Sequence, residues 1–118
     1  MMLSAGNLNT AALSLFVALH LAVEPVVRCL VLDDPVQSMD EVHISQFAAL
    51  LRTLSKTLGQ QIIVSVHERA LFDYLTLELN PAFPDDGLIT IEISRNFAGD
   101  SVAMPKAFTF TPDKAIAA

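Results

Sequence analysis

Cysteine is almost missing from this chain. Cys29 stands alone among 118 residues, so no internal disulfide is possible, and a reducing compartment is the simpler expectation. Clusters of basic residues are missing too. Arg28, Arg52, Lys56, Arg69, Arg95, Lys106 and Lys114 are scattered singly among 13 acidic side chains, and the net charge is −6. Such a chain does not present a nucleic-acid-binding surface by itself, although a parent assembly could meet DNA elsewhere. No pair of His or Cys has zinc-ligand spacing. Long apolar runs are also lacking: AALSLFVALHLAV, residues 11 to 23, falls short of the ~18–20 residues a membrane span requires and contains His20. No positive n-region precedes it and no A-x-A cleavage site follows. It reads as a buried helix of a cytoplasmic protein with no membrane partner.

What is present is apolar content, 53% of a chain long enough for one domain. It arrives in short segments, which implies either a dense core or a surface that expects a partner. Leu8, Ala11, Ala12, Leu15, Phe16, Leu19, Ala22 and Val23 follow 3–4 spacing and predict a helix over residues 7 to 23, closed by Pro25. Residues 28 to 33 form a short β-rich run, apolar at its centre, that fits a strand covered on both faces. Ser38-Met-Asp-Glu41 has the form of a capping box with Ser38 as N-cap. Phe47, Leu50, Leu51, Leu54 and Leu58 continue as a helical stripe that Gly59 ends. A second buried strand is expected at 61 to 66, then a helix with Leu71, Phe72, Leu75 and Leu79 on its apolar side. Pro81, Pro84 and Asp85-Asp86-Gly87 mark a turn. Ile89, Ile91 and Ile93 alternate with polar residues as in a half-exposed strand, and residues 107 to 111 could return beside it. The order is that of an α/β layer.

Both inner strands end in residues that could carry chemistry. Asp33 and Asp34 close the first, and His67 follows the second. In open α/β sheets ligands lie at the carboxyl ends of strands, so these clusters could be neighbours. An adjacent Asp pair can simply cap a helix. At the tip of an apolar strand it can also hold Mg²⁺, which takes oxygen ligands, often one or two carboxylates plus phosphate oxygens. His67 alone reads as a structural histidine; beside an acidic strand tip it becomes a candidate sensor of phosphate or water. His20 and His43 are assigned to packing or surface, and Cys29 to packing rather than to nucleophilic chemistry. Ser4, Gly6 and Asn7 put a hydroxyl and exposed N–H groups at a helix start, where an anion is favoured.

Taken in order, LSAGN at 3 to 7, VLDDPVQSMD at 31 to 40 and VSVHE at 64 to 68 resemble the C-terminal half of an ABC-type ATPase head of the SMC/RecN/SbcC-like branch. The resemblance spans residues 3 to 95. It implies a partial P-loop NTPase fold, with parallel strands, flanking helices and a C-terminal strand pair. It divides the chain into a signature motif and helix (3–24), Walker B and D-loop (28–40), a helix–strand–helix with the switch histidine (41–80) and terminal strands (88–111). By this resemblance Ser4, Gly6 and Asn7 belong to the signature that contacts the γ-phosphate of ATP on an opposite head. Asp33 supports Mg²⁺, Asp34 stands where a glutamate usually polarises the attacking water, Asp40 lies in the D-loop, and His67 is the switch histidine.

The departures are specific. Ala5 replaces a glycine, Asn7 replaces Gln or Glu, and Asp34 is one methylene shorter than Glu, so slow hydrolysis is expected. No glycine among Gly6, Gly59, Gly87 and Gly99 is followed by lysine, so the G-x-x-x-x-G-K-[ST] phosphate cradle is absent. The resemblance therefore implies half of a site: an ATPase only when joined to an N-terminal Walker A half and a second head in a homo-dimer, serving DNA repair or chromosome maintenance. Two other readings stand beside it. One is a non-catalytic dimerisation module; the other is a metal-dependent phosphohydrolase using Asp33, Asp34 and Asp40.

Overall fold

The computed structural model describes residues 5–24 and 26–112. Ser4, Pro25 and Lys114 lie outside the described residues. The elements run α1 (Ala5–Ala22), β1 (Cys29–Asp33), α2 (Glu41–Leu58), β2 (Gln61–Ser65), α3 (Arg69–Glu78), β3 (Gly87–Arg95) and β4 (Ser101–Thr109). Two compact units divide the chain, Met1–Phe72 and Asp73–Ala118.

In the first unit β1 and β2 pair in parallel, Leu30 opposite Ile62, Val31 opposite Ile63 and Asp33 opposite Ser65. Successive strand residues alternate faces. Leu30 and Leu32 are buried, and Ile62 and Val64 beside them are half-buried. α2 packs against β2 and buries Ile44, Phe47, Ala48, Leu51 and Leu54, the 3–4 stripe expected of an amphipathic helix. The other face differs from expectation. Val31 is 61% exposed and Ile63 52%, so these strands are covered on one side, not two. The helices of this unit supply cover for a single face.

α1 also departs from the buried helix expected of it. Its Ala- and Leu-rich sequence favours helix, and it begins two residues earlier than the spacing predicted. Yet Val17 alone is buried, while Leu8, Leu15 and Leu19 are exposed. Polar ties at its two ends hold it instead. Asn9 Nδ2 donates to the carbonyls of Pro35 (2.9 Å) and Gln37 (2.8 Å), and His20 Nε2 lies 3.1 Å from Oε1 of the buried Gln60. α1 is long and apolar enough to cross a bilayer by length and composition; both ties join it to the strand-and-loop layer.

The cap of α2 corrects a second expectation. Ser38 has φ 64°, in the left-handed region, whereas an N-cap needs extended backbone. Asp40 (φ −79°, ψ 174°) takes that place and accepts from the His43 N–H at 2.9 Å. Gly59 ends the helix at φ 62°, as expected.

In the second unit β3 and β4 form an antiparallel hairpin, Ile91 opposite Pro105. Asn96 and Gly99 (φ 83°) make its turn, with Asn96 N–H donating to the Asp100 carbonyl at 3.0 Å. β4 starts at Ser101, six residues before the predicted return, because a short turn brings the chain straight back into register. Ile89, Ile91 and Ile93 do share one face, but it is the exposed one. Asp86 Oδ2 accepts from the N–H groups of Ala82 and Phe83, fixing the turn before β3.

Candidate functional site

The parallel register puts Asp33 and Ser65 side by side at the carboxyl ends of β1 and β2. Ser65 Oγ donates to Asp33 Oδ1. The next N–H, that of Asp34, donates to both the carbonyl (2.9 Å) and the Oγ (3.0 Å) of Ser65. Asp34 then turns out of the strand at φ 48°, a left-handed conformation that Asp tolerates better than most side chains. That turn carries its carboxylate toward the chain leaving β2, where Oδ2 lies 3.8 Å from His67 Nε2. The Asp34 side chain is 18% exposed and His67 75%. Asp33 and Asp34 thus meet different neighbours: one a hydroxyl on the sheet, the other a solvent-accessible imidazole.

The start of α1 lies against the loop that follows Asp34. A Cβ built on Gly6 would overlap the backbone carbonyl oxygen of Ser38, so only glycine allows this approach. With Asn9 holding Pro35 and Gln37, the start of α1 is seated on the loop that follows Asp34. Gly6 and Asn7 therefore lie at the helix start next to that loop.

Asp40 stands apart from the Asp33–Asp34 pair. Its carboxylate caps α2 and meets His43 Nδ1 at 2.7 Å. Hydrogen bonding from the His43 backbone N–H, then from its side chain, holds Asp40 below its ordinary value of 3.8. His43, assigned to packing or surface by sequence, is the partner of this cap. Cys29 is half-buried at the start of β1.

Mg²⁺ suits the donors present. Two neighbouring carboxylates at a strand tip match the one or two it commonly takes, with water and phosphate oxygens completing the shell. Among the described residues no three His, Cys, Asp or Glu side chains gather as a metal-holding group. A cavity of about 370 Å³, lined by His20, Glu24, Arg28 and Gln60 among others, lies at the opposite end of the strands from Asp33. At the chemistry-bearing tip Asp33, Ser65 and His67 are exposed and Asp34 is half-buried.

Sequence reasoning did not single out Ser65 or Asn9. Ser65 lies within VSVHE, where His67 drew the reading, and an isolated Asn in a helix carries no motif. The signal for Ser65 lay in the strand pairing, which sets it opposite Asp33.

No protein-family model matches this chain. The taurine import ATP-binding protein TauB of Yersinia pestis is 33% identical over 81 residues, covering 69% of this chain and 31% of TauB. The TauB of Yersinia pseudotuberculosis is similar to the same extent. The chain thus spans about a third of the length of these curated relatives. Among solved structures, one from a study of the ATP-driven dimerization and DNA-stimulated activation of SMC ATPases superimposes with a TM-score of 0.60 at 19% identity. It covers 98% of this chain and 58% of that one. The α/β architecture, a parallel strand pair with flanking helices and an antiparallel strand pair, shares the fold of part of that SMC ATPase structure.

Proposed function

We propose that this chain is the C-terminal part of an SMC-like ABC ATPase head and contributes one wall of an ATP·Mg²⁺ site. The observation that carries the reading is the meeting of Asp33, Asp34 and His67 at the carboxyl ends of two parallel strands, beside the Gly6 end of α1. In it Asp33 supports Mg²⁺, which offsets phosphate charge when bound. Asp34 orients the attacking water, with His67 beside it near the γ-phosphate. Ser4, Gly6 and Asn7 meet the nucleotide of a second head, and Asp40 belongs to the loop that communicates across the dimer. The 118 residues contain no phosphate cradle, so an N-terminal half with the P-loop supplies it, and this chain alone does not hydrolyse ATP. The similar SMC ATPase structure, from a study of ATP-driven dimerization and DNA-stimulated activation, supports pairing of heads and a link to DNA; on this reading the assembly is a homo-dimer serving DNA repair or chromosome maintenance in the cytoplasm.

Mixing the chain with a separately produced N-terminal half should give ATPase activity that Asp33→Asn abolishes. An unchanged rate in that variant would refute the assignment of Asp33. A second reading, a module that only associates, draws on the exposed Val31, Ile63 and Leu15. It expects complex formation with no Mg²⁺-dependent turnover.

A further inference from the structure

We infer that Ser65 is a positioning residue that fixes which oxygen of Asp33 faces the cation. The inference rests on the reading of Asp33 as the Mg²⁺-supporting carboxylate. A serine hydroxyl has one proton to donate and lone pairs to accept with. The Asp34 N–H can only donate, and it points at Ser65 Oγ from 3.0 Å. The hydroxyl must therefore accept on that side, and its single proton is directed to Asp33 Oδ1. The polarity of the whole chain, from Asp34 N–H to Ser65 Oγ–H to Asp33 Oδ1, is set by the backbone.

Two consequences follow for the site. Asp33 Oδ1 has one lone pair engaged by the Ser65 proton, so Oδ2 is the oxygen with more capacity left for a cation or its water. The hydroxyl that orients Asp33 also bonds the N–H of Asp34, which leaves the strand in the left-handed conformation. Ser65 thus ties the orientation of the metal-side carboxylate to the place where the water-side carboxylate departs. Strand pairing would survive without it, because the Asp34 N–H keeps the Ser65 carbonyl at 2.9 Å. The hydroxyl is a separable feature, which makes its role testable.

Partners of this kind around a metal ligand typically change metal affinity or activity by roughly ten- to a hundredfold when removed. In the mixture of this chain with the P-loop half, Ser65→Ala should raise the Mg²⁺ concentration for half-maximal ATPase by about tenfold or more. The KM for ATP at saturating Mg²⁺ should stay near wild type, and Ser65→Thr should restore the Mg²⁺ requirement. A normal Mg²⁺ requirement in Ser65→Ala, or a loss that Ser65→Thr does not repair, overturns the inference. If Asp33→Asn retains full activity, the reading of the site itself fails instead. The chain alone provides an independent arm, with Mn²⁺ as the probe in amide NMR spectra. Broadening around residues 33–34 and 65–67 should need several-fold more Mn²⁺ in Ser65→Ala than in wild type or Ser65→Thr. Coincident titrations of Ser65→Ala and wild type would sink the assignment regardless of any ATPase result.

Discussion

Asp34 turns the end of a strand into two differently directed carboxylates. Had the chain continued extended, Asp33 and Asp34 would have pointed to opposite faces of the sheet. The φ of 48° redirects Asp34 toward His67 while Asp33 stays in register with Ser65. Gly6 is equally constrained, by closeness rather than dihedral angle. Gly6→Ala should force α1 away from Ser38 and destabilise the first unit by about 1–3 kcal/mol, the usual cost of overpacking. Thermal or urea unfolding would measure it; a stability equal to wild type would mean the two backbones can separate freely. Gly6 was legible in the sequence as part of a helix start, but its physical reason was not. Its place at a helix start implied exposed N–H groups, whereas the structure uses its lack of a Cβ against a neighbouring carbonyl.

At the scale of elements, α2 owes its first turn to Asp40. Because hydrogen bonds from His43 depress the Asp40 carboxyl below 3.8 in the folded chain, the cap contributes stability that is fully present above 3.8. That contribution is lost as the pH falls through the lower folded-state value. The amide signals of residues 41–44 should therefore shift in a titration from pH 5 downward, and Asp40→Asn should flatten that response. A response that persists in Asp40→Asn would assign it to another carboxyl. The order and type of the elements were readable because periodicity is a local property. α2 kept its 3–4 stripe, and β1 and β2 kept their apolar centres. The cap was misread since S-x-x-E competes with Asp40 on pattern alone, and only Ser38's backbone angle decides between them. Coverage of faces was also misread. An apolar side chain states a preference for burial, but Val31, Ile63 and the Ile89–Ile93 row meet no cover among the described residues.

For the molecule as a whole, the open face of β1 and β2 and the reactive tip belong to one surface. Val31 and Ile63 lie on the same side of the strands as Asp33 and Ser65. Any protein that covers the apolar part of this face also approaches the carboxylate. The isolated chain should consequently self-associate, and Val31→Glu combined with Ile63→Glu should shift it toward monomer. Sedimentation velocity over a concentration series would read this; a wild-type chain that sediments as a clean monomer contradicts it. On the proposed reading, the same pair should weaken complex formation with the P-loop half, since association and ATP hydrolysis would then share a single face. The candidate site was legible because its residues cluster in two short motifs. The exposure of the strand face beside it was not, since that depends on what segments elsewhere bring to the sheet.

The double hook of Asn9 has a consequence for how this chain can vary. Loops between a strand and a helix are ordinarily where insertions are absorbed. Here the stretch from Pro35 to Ser38 is gripped at two carbonyls by one side chain and abutted at a third by Gly6. One residue added among them would break the spacing on which these contacts depend. The segment that looks most permissive by topology is therefore length-locked, measured out against a single turn of α1.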